Sequence, residues 1–217
     1  MLTILSEVEL RVLGSLIEKQ ITTPEYYPLT LNALTLACNQ KNNRNPVTTY
    51  DETTVADAVE SLRGKNLAYV FYGSNSRVPK YKHVVPEIFH LSHAELSLLC
   101  LLMLRGAQTP GELNSRAGRM FDFRGLDEVE ETINALATKD PDPLVVRLPR
   151  QPGQKEARYA HLLAGDIDIQ ALAEQAPIVT ARPVSDRKST LEQEVQQLRE
   201  EVQNLQRQFD EFKKQFE

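Results

Sequence analysis

After Ser6, and again after Ser92, apolar residues recur every three or four positions, as they must on a helix with one buried face. The two stretches are copies. LSEVELRVLGSLIEKQITTP starts at Leu5 and LSHAELSLLCLLMLRGAQTP at Leu91. A shift of 86 residues superposes Leu5 on Leu91, Ser6 on Ser92, Glu9 on Glu95, Leu13 on Leu99 and Pro24 on Pro110. Ser-x-x-Glu opens each copy, and that spacing is a capping box: the serine oxygen takes a first-turn N–H while the glutamate reaches back to the serine N–H. Thr-Pro closes each copy, because proline is tolerated at a helix start and not in its interior. Further anchors follow in the same order. Val55, Val59 and Leu62 match Val129, Ile133 and Leu136 at a shift of 74, and Tyr81-x-His83 matches Tyr159-x-His161 at a shift of 78. Two units of about 80 residues suit two small domains better than a solenoid of shorter repeats.

The same patterning predicts the remaining elements. Ser6–Gln20 is the first helix, EYYPLT a loop, and Leu31–Gln40 a second helix with Leu31 and Leu34 on one face. Lys41–Pro46 lacks apolar residues and is rich in turn formers. Thr49-Tyr-Asp-Glu52 predicts a capping box for a third helix that runs to about Lys65. Leu67–Tyr72 and Val78–Val85 form a hairpin around Gly73-Ser-Asn-Ser. In the second copy the helices are Ser92–Leu104, Thr109 to about Met120, and Leu126 to Lys139. Leu144–Leu148 then pairs with Arg158–Leu163. Three helices and a hairpin in that order predict a winged helix. The expected fold is mostly α with small β-hairpins (α+β): winged-helix domains at 1–87 and 88–166, a short helix and linker at 167–188, and a coiled-coil helix at 189–217.

That tail is the most regular piece. Leu191, Val195, Leu198, Val202, Leu205, Phe209, Phe212 and Phe216 are spaced alternately four and three apart, a coiled-coil seam. Valines at a and leucines at d favour a parallel homodimer. The three phenylalanines leave trimeric and antiparallel pairing open, and a helix folded back on its own domains is the plainer alternative.

LSEVELRVLGSLIEKQITTPEYYPLTLNALTLACNQKNNRNPV resembles the opening of the YceH-like bacterial proteins, most specifically in TTPEYYPLTLNAL and CNQKNNRNP. The resemblance extends through both repeats and into the tail. It implies tandem winged-helix domains and, the family being uncharacterised, transfers no functional residues.

Composition narrows the partners. The chain has 217 residues, 41% hydrophobic and 25% charged, in the ordinary range for globular proteins. Its longest apolar run, Leu98–Leu104, is far too short to span a bilayer, and MLTILSEVEL carries no secretory signal. The expectation is a cytoplasmic protein with no membrane partner, whose Cys38 and Cys100 are buried reduced thiols. The net charge of −5 and pI of about 5.5 oppose the basic footprint of a nucleic-acid binder.

Charge is nonetheless segregated. The third helices are acidic, through Asp51, Glu52, Asp57 and Glu60 in one copy and Asp127, Glu128, Glu130 and Glu131 in the other. The hairpins are basic, and the loop after the second helix adds Lys41 and Arg44. Lys41, Arg44, Arg77, Lys80, Arg147, Arg150 and Arg158 are therefore the candidate phosphate contacts, and Asp127, Glu128, Glu130 and Glu131 the candidate protein-docking residues. Phosphate-cradling loops, H-E-x-x-H, C-x-x-C and Gly-x-Ser-x-Gly are absent from the sequence. His90-x-x-His93 lacks further ligands at metal spacing, so no cofactor or catalytic residue is assigned. The repeated tyrosine–histidine pairs share a strand face and are expected to pack against a helix. The leading expectation is a non-enzymatic binding protein with DNA as its first candidate ligand. A protein–protein adaptor is the alternative, docking an unidentified partner through the acidic third helices and the tail.

Overall fold

The computed structural model describes residues 4–72, 78–150, 153–165 and 167. The described residues fall within one compact unit, Met1–Ala173. The heptad seam from Leu191 to Phe216, the linker and the short helix expected from Asp166 lie outside the described residues, as does Arg77. Among the described residues the fold is mixed α and β, with seven helices and two small antiparallel sheets.

Helix α1 (Glu7–Thr22) starts where the capping box places it. Glu9 N–H donates to Ser6 Oγ at 3.3 Å and Ser6 N–H donates to Glu9 Oε2 at 2.6 Å. Helix α5 (His93–Arg105) repeats the pair through Ser92 and Glu95, at 3.2 and 2.8 Å. Each box has a further clasp. Lys65 Nζ lies 2.6 Å from Glu9 Oε1 and donates to the Ile4 carbonyl, and Lys139 Nζ lies 2.6 Å from Glu95 Oε1 and donates to the His90 carbonyl. Burial alone would raise the Glu9 carboxyl, but the lysine and the cap hydrogen bonds outweigh it and hold the pKa down at about 2.

Between α1 and α2 (Leu31–Cys38) the expected loop contains structure of its own. Pro24–Tyr26 forms a 3-10 turn, and Leu29–Thr30 forms strand β1. Helix α3 (Glu52–Gly64) is capped by Asp51, whose Oδ1 accepts from Thr54 N–H at 2.7 Å. The cap expected from Thr49 is thus displaced by two residues, aspartate being the better N-cap of the two. Strands β2 (Ala68–Phe71) and β3 (Lys80–His83) follow, and the sheet order is β1-β3-β2. The strand expected through Val85 stops at His83, because Val85–Phe89 forms helix α4 with Pro86 in its first turn, where a missing N–H costs nothing. The expected boundary between the halves at residue 87 falls inside α4.

The second half contains α5, α6 (Pro110–Ala117), α7 (Leu126–Ala137) and the antiparallel pair β4 (Val145–Arg147) and β5 (Tyr159–His161). Among the described residues no separate strand matches β1, but Gln108 bridges Tyr159 as Leu29 pairs with Tyr81.

The halves share one hydrophobic core, built where α1 crosses α5. Leu13, Leu16, Leu99 and Leu102 are fully buried there, each contributing about 1.5–3 kcal/mol. Repeat-equivalent residues meet at the crossing, since the Cys100 thiol donates to the Gly14 carbonyl at 3.3 Å and the two positions are 86 residues apart. Gly14 is what permits the approach: a Cβ there would lie 2.9 Å from Leu104 Cδ2, closer than packed carbons come. The two thiols are buried, as expected, and burial pushes the Cys38 thiol up to about 11.

Candidate functional site

The pleat of β2 and β3 sorts their side chains onto two faces. Ala68, Tyr81 and His83 turn inward and are buried, so the first tyrosine–histidine pair packs as its spacing predicts. Tyr27 Oη accepts the His83 N–H at 2.8 Å, and His83 Nδ1 accepts from Val85 N–H at 3.3 Å. Burial lowers the His83 pKa to about 4, with Lys82 adding to the shift. In the second hairpin Tyr159 is likewise buried, while His161 is half-buried and has its pKa lowered by desolvation to about 4.

The outward face combines aromatic rings with ammonium groups. Tyr69 stands opposite Lys82 and Phe71 opposite Lys80. Tyr69, Phe71 and Tyr72 are 38%, 43% and 65% exposed, too much for residues whose only role is the core. Lys82 Nζ lies 5.7 Å from the Tyr69 ring centroid, within cation–π range. Lys82 and the aromatics are not among the candidates that charge alone picks out in the sequence. The period-two spacing of Tyr69/Phe71 and Lys80/Lys82 is the signal that finds them.

The other candidate cations separate into two groups. Lys41, Arg147 and Arg150 are exposed, and Lys80 is half-exposed. Arg44 is withdrawn from any ligand: its side chain is 0% exposed, 2.6 Å from Glu18 Oε2, and it donates also to the Ala37 and Asn43 carbonyls. Arg158 is likewise engaged, donating to the Ala107 carbonyl and to both oxygens of Glu112. Both arginines hold loops onto helices; the Arg44 guanidinium has no exposed donor, whereas the Arg158 side chain keeps 36% of its surface exposed.

The acidic candidates sit where the helical period puts them. Val129, Ile133 and Leu136 bury one face of α7, leaving Asp127, Glu130 and Glu131 exposed on the other. Glu128 is partly covered, and its carboxylate accepts from the Arg124 N–H at 2.7 Å. Helix α3 exposes Glu52, Asp57 and Glu60 in the same way. Such faces repel a phosphate backbone.

Among the described residues no cluster of three or more His, Cys, Asp or Glu side chains is placed to hold an ion. Nor, among those residues, is any helix long and apolar enough to cross a membrane.

The family described as "protein of unknown function, DUF480" matches residues 5–154, and the chain belongs to it. A UPF0502 protein of Opitutus terrae is 57% identical across 91% of this chain and 84% of its own length. A UPF0502 protein of Geobacter sulfurreducens is 50% identical across 90% of both chains. A third, from Vibrio atlanticus, is 45% identical across 91% of this chain and 93% of its own. The family expected from the TTPEYYPLTLNAL and CNQKNNRNP motifs is consistent with these matches.

Proposed function

We propose that this protein is a tandem winged-helix protein, without a catalytic site of its own, that binds duplex DNA through its hairpins rather than its third helices. The winged-helix reading is supported by the order α1-β1-α2-α3-β2-β3 with β1 beside β3, and by its partial repetition after α5. The observation that carries the binding reading is the outward face of β2 and β3, where two exposed aromatic rings stand opposite two lysines with no acid on either strand. Lys41, Arg147 and Arg150 extend the exposed positive charge, and residues 189–217 would join two chains through their heptad seam. A chain ending at residue 188 should then sediment as a monomer and the full-length protein as a dimer. A full-length monomer at micromolar concentration would refute that part.

Backbone recognition is measured by salt. Replacing Lys80, Lys82, Arg147 and Arg150 by alanine should flatten the slope of log affinity against log salt by roughly 0.9 for each phosphate no longer neutralised. Affinity at moderate salt should fall well over tenfold. If the wild-type chain shows no binding to random duplex even at low salt, the DNA reading fails.

The exposed acids of α7 favour a second reading, an adaptor that docks a basic protein. Neutralising Asp127, Glu130 and Glu131 as amides should leave DNA binding intact or improve it under the first reading, and abolish partner capture under the second.

A further inference from the structure

The repeat creates a cleft that neither half has alone. It has a volume of about 650 Å3 and lies where the C-terminal ends of α1, α5 and α6 converge with the segment after α2. Its cations are Lys19, Lys41, Arg105, Arg116 and Arg119, and its acid is Glu18. Lys19 and Arg105 are repeat-equivalent, 86 residues apart, at the last turns of α1 and α5. The motif Gln40-Lys-Asn-Asn43 forms part of one wall. It is fastened to the other half by Asn43, whose side chain accepts from Arg105, and by Asn45, whose N–H donates to the Leu104 carbonyl at 2.9 Å.

Basic residues at helix C-termini often only offset the helix dipole, so the sum matters. Four helix ends at about −0.5 each supply roughly −2. Glu18 is matched by the buried Arg44 at 2.6 Å. Against that stand five cations, of which Arg116 is paired with Glu112 at 3.7 Å, which leaves an excess of about two positive charges. Part of the excess has no partner among the described residues. Lys41 and Arg119 are exposed and make no side-chain hydrogen bond or ion pair there, and the buried Nε of Arg105 also lacks an acceptor. The mutual repulsion shows in Arg105, whose pKa is lowered by burial and then by Arg116. A cleft of this size, with this charge and with the amides of Gln40 and Asn42 on its wall, suits a small polar ligand.

We propose that this cleft binds a small phosphorylated anion carrying at least two negative groups, with Lys41, Arg105 and Arg119 as its principal contacts. Arginine matches phosphate bidentately, and such charge-assisted hydrogen bonds are the strong ones. Because the walls come from both halves, the bound anion cross-links them at the open side of the α1–α5 crossing. This inference does not depend on the DNA reading.

Inorganic pyrophosphate is the probe, titrated calorimetrically into the full-length chain at low salt. Saturable binding is expected, with a rise in the thermal midpoint of unfolding. Lys41→Ala with Arg119→Ala should weaken it at least tenfold, the worth of one charge-assisted hydrogen bond or more. Neither side chain is buried, so the variant should fold. Arg147→Ala with Arg150→Ala is the control and should bind pyrophosphate as the wild type does, whatever it does to DNA. Absence of saturable binding, or equal binding by the Lys41/Arg119 variant, overturns the proposal. If that variant instead loses duplex DNA while pyrophosphate fails to compete, the proposal is overturned and the cleft belongs to the DNA surface.

Discussion

Replacing Arg44 by alanine is expected to lower the unfolding free energy by about 3–5 kcal/mol, the usual cost of removing one partner from a buried ion pair. The guanidinium meets Glu18 through both terminal nitrogens, at 3.0 and 2.6 Å, and donates to the Ala37 carbonyl from Nε and Nη2. Without it, a mostly buried carboxylate faces the cleft uncompensated, and the Ala37 carbonyl loses two donors. The segment from Gln40 to Asn45 loses its anchor on α1 and so its docking on α5. Arg44→Lys should recover only a small part, since an ammonium cannot form the two parallel bonds or reach the carbonyl as well. Glu18→Gln should cost less than Arg44→Ala, because an amide oxygen still accepts one bond. Denaturant unfolding measures all three. A loss under about 1 kcal/mol for Arg44→Ala would be that of an exposed pair, and would contradict the buried geometry.

Mild acid is expected to destabilise the protein before its carboxylates titrate. His83 is 2% exposed, with a pKa lowered by desolvation from 6.5 to about 4. The unfolded chain therefore holds the proton more tightly than the folded one. Stability from the neutral imidazole is fully present above pH 6.5 and is lost as pH falls toward 4. Between pH 7 and pH 5 the loss from His83 alone is on the order of 2 kcal/mol. Lys82 is the charged neighbour on the same strand, Tyr27 packs edge-on at 6.1 Å, and Val85 N–H occupies the Nδ1 lone pair that a proton would take. His161, lowered to about 4 by the same desolvation, adds a comparable share. Glu9, Glu95 and Glu112 are held below the usual carboxylate value of 4.5 by their lysine, arginine and cap partners, so their contribution is lost only at lower pH. His83→Asn cannot titrate in this range and keeps an acceptor near Val85. Its urea midpoint should fall less between pH 7 and pH 5 than the wild-type midpoint does. An equal fall in both proteins would assign the acid sensitivity elsewhere.

What could be read along the chain was whatever depends on near neighbours. Ser6 and Glu9 lie three residues apart, as do Ser92 and Glu95, so their caps are properties of local sequence, and the structure has both. The inward faces of α3 and α7 follow from helical spacing, and the burial of Tyr81 and His83 from strand spacing. The shift by two at Asp51 shows the limit of this reading, because Thr49 and Asp51 both offer a capping oxygen and the backbone can use only one. Strand β1 was hidden in EYYPLT, since two residues have no period and Leu29 is a strand only by pairing with Tyr81, 52 positions later. Charge behaved the same way. Arg44 and Arg150 look alike in a sequence, yet one is enclosed by Glu18 from 26 residues upstream while the other stays in water. The crossing of α1 on α5, which makes one core and one basic cleft out of two repeats, rests on Gly14 facing Leu104. Periodicity reports which face of a helix is apolar, but only the packed chain decides what that face meets.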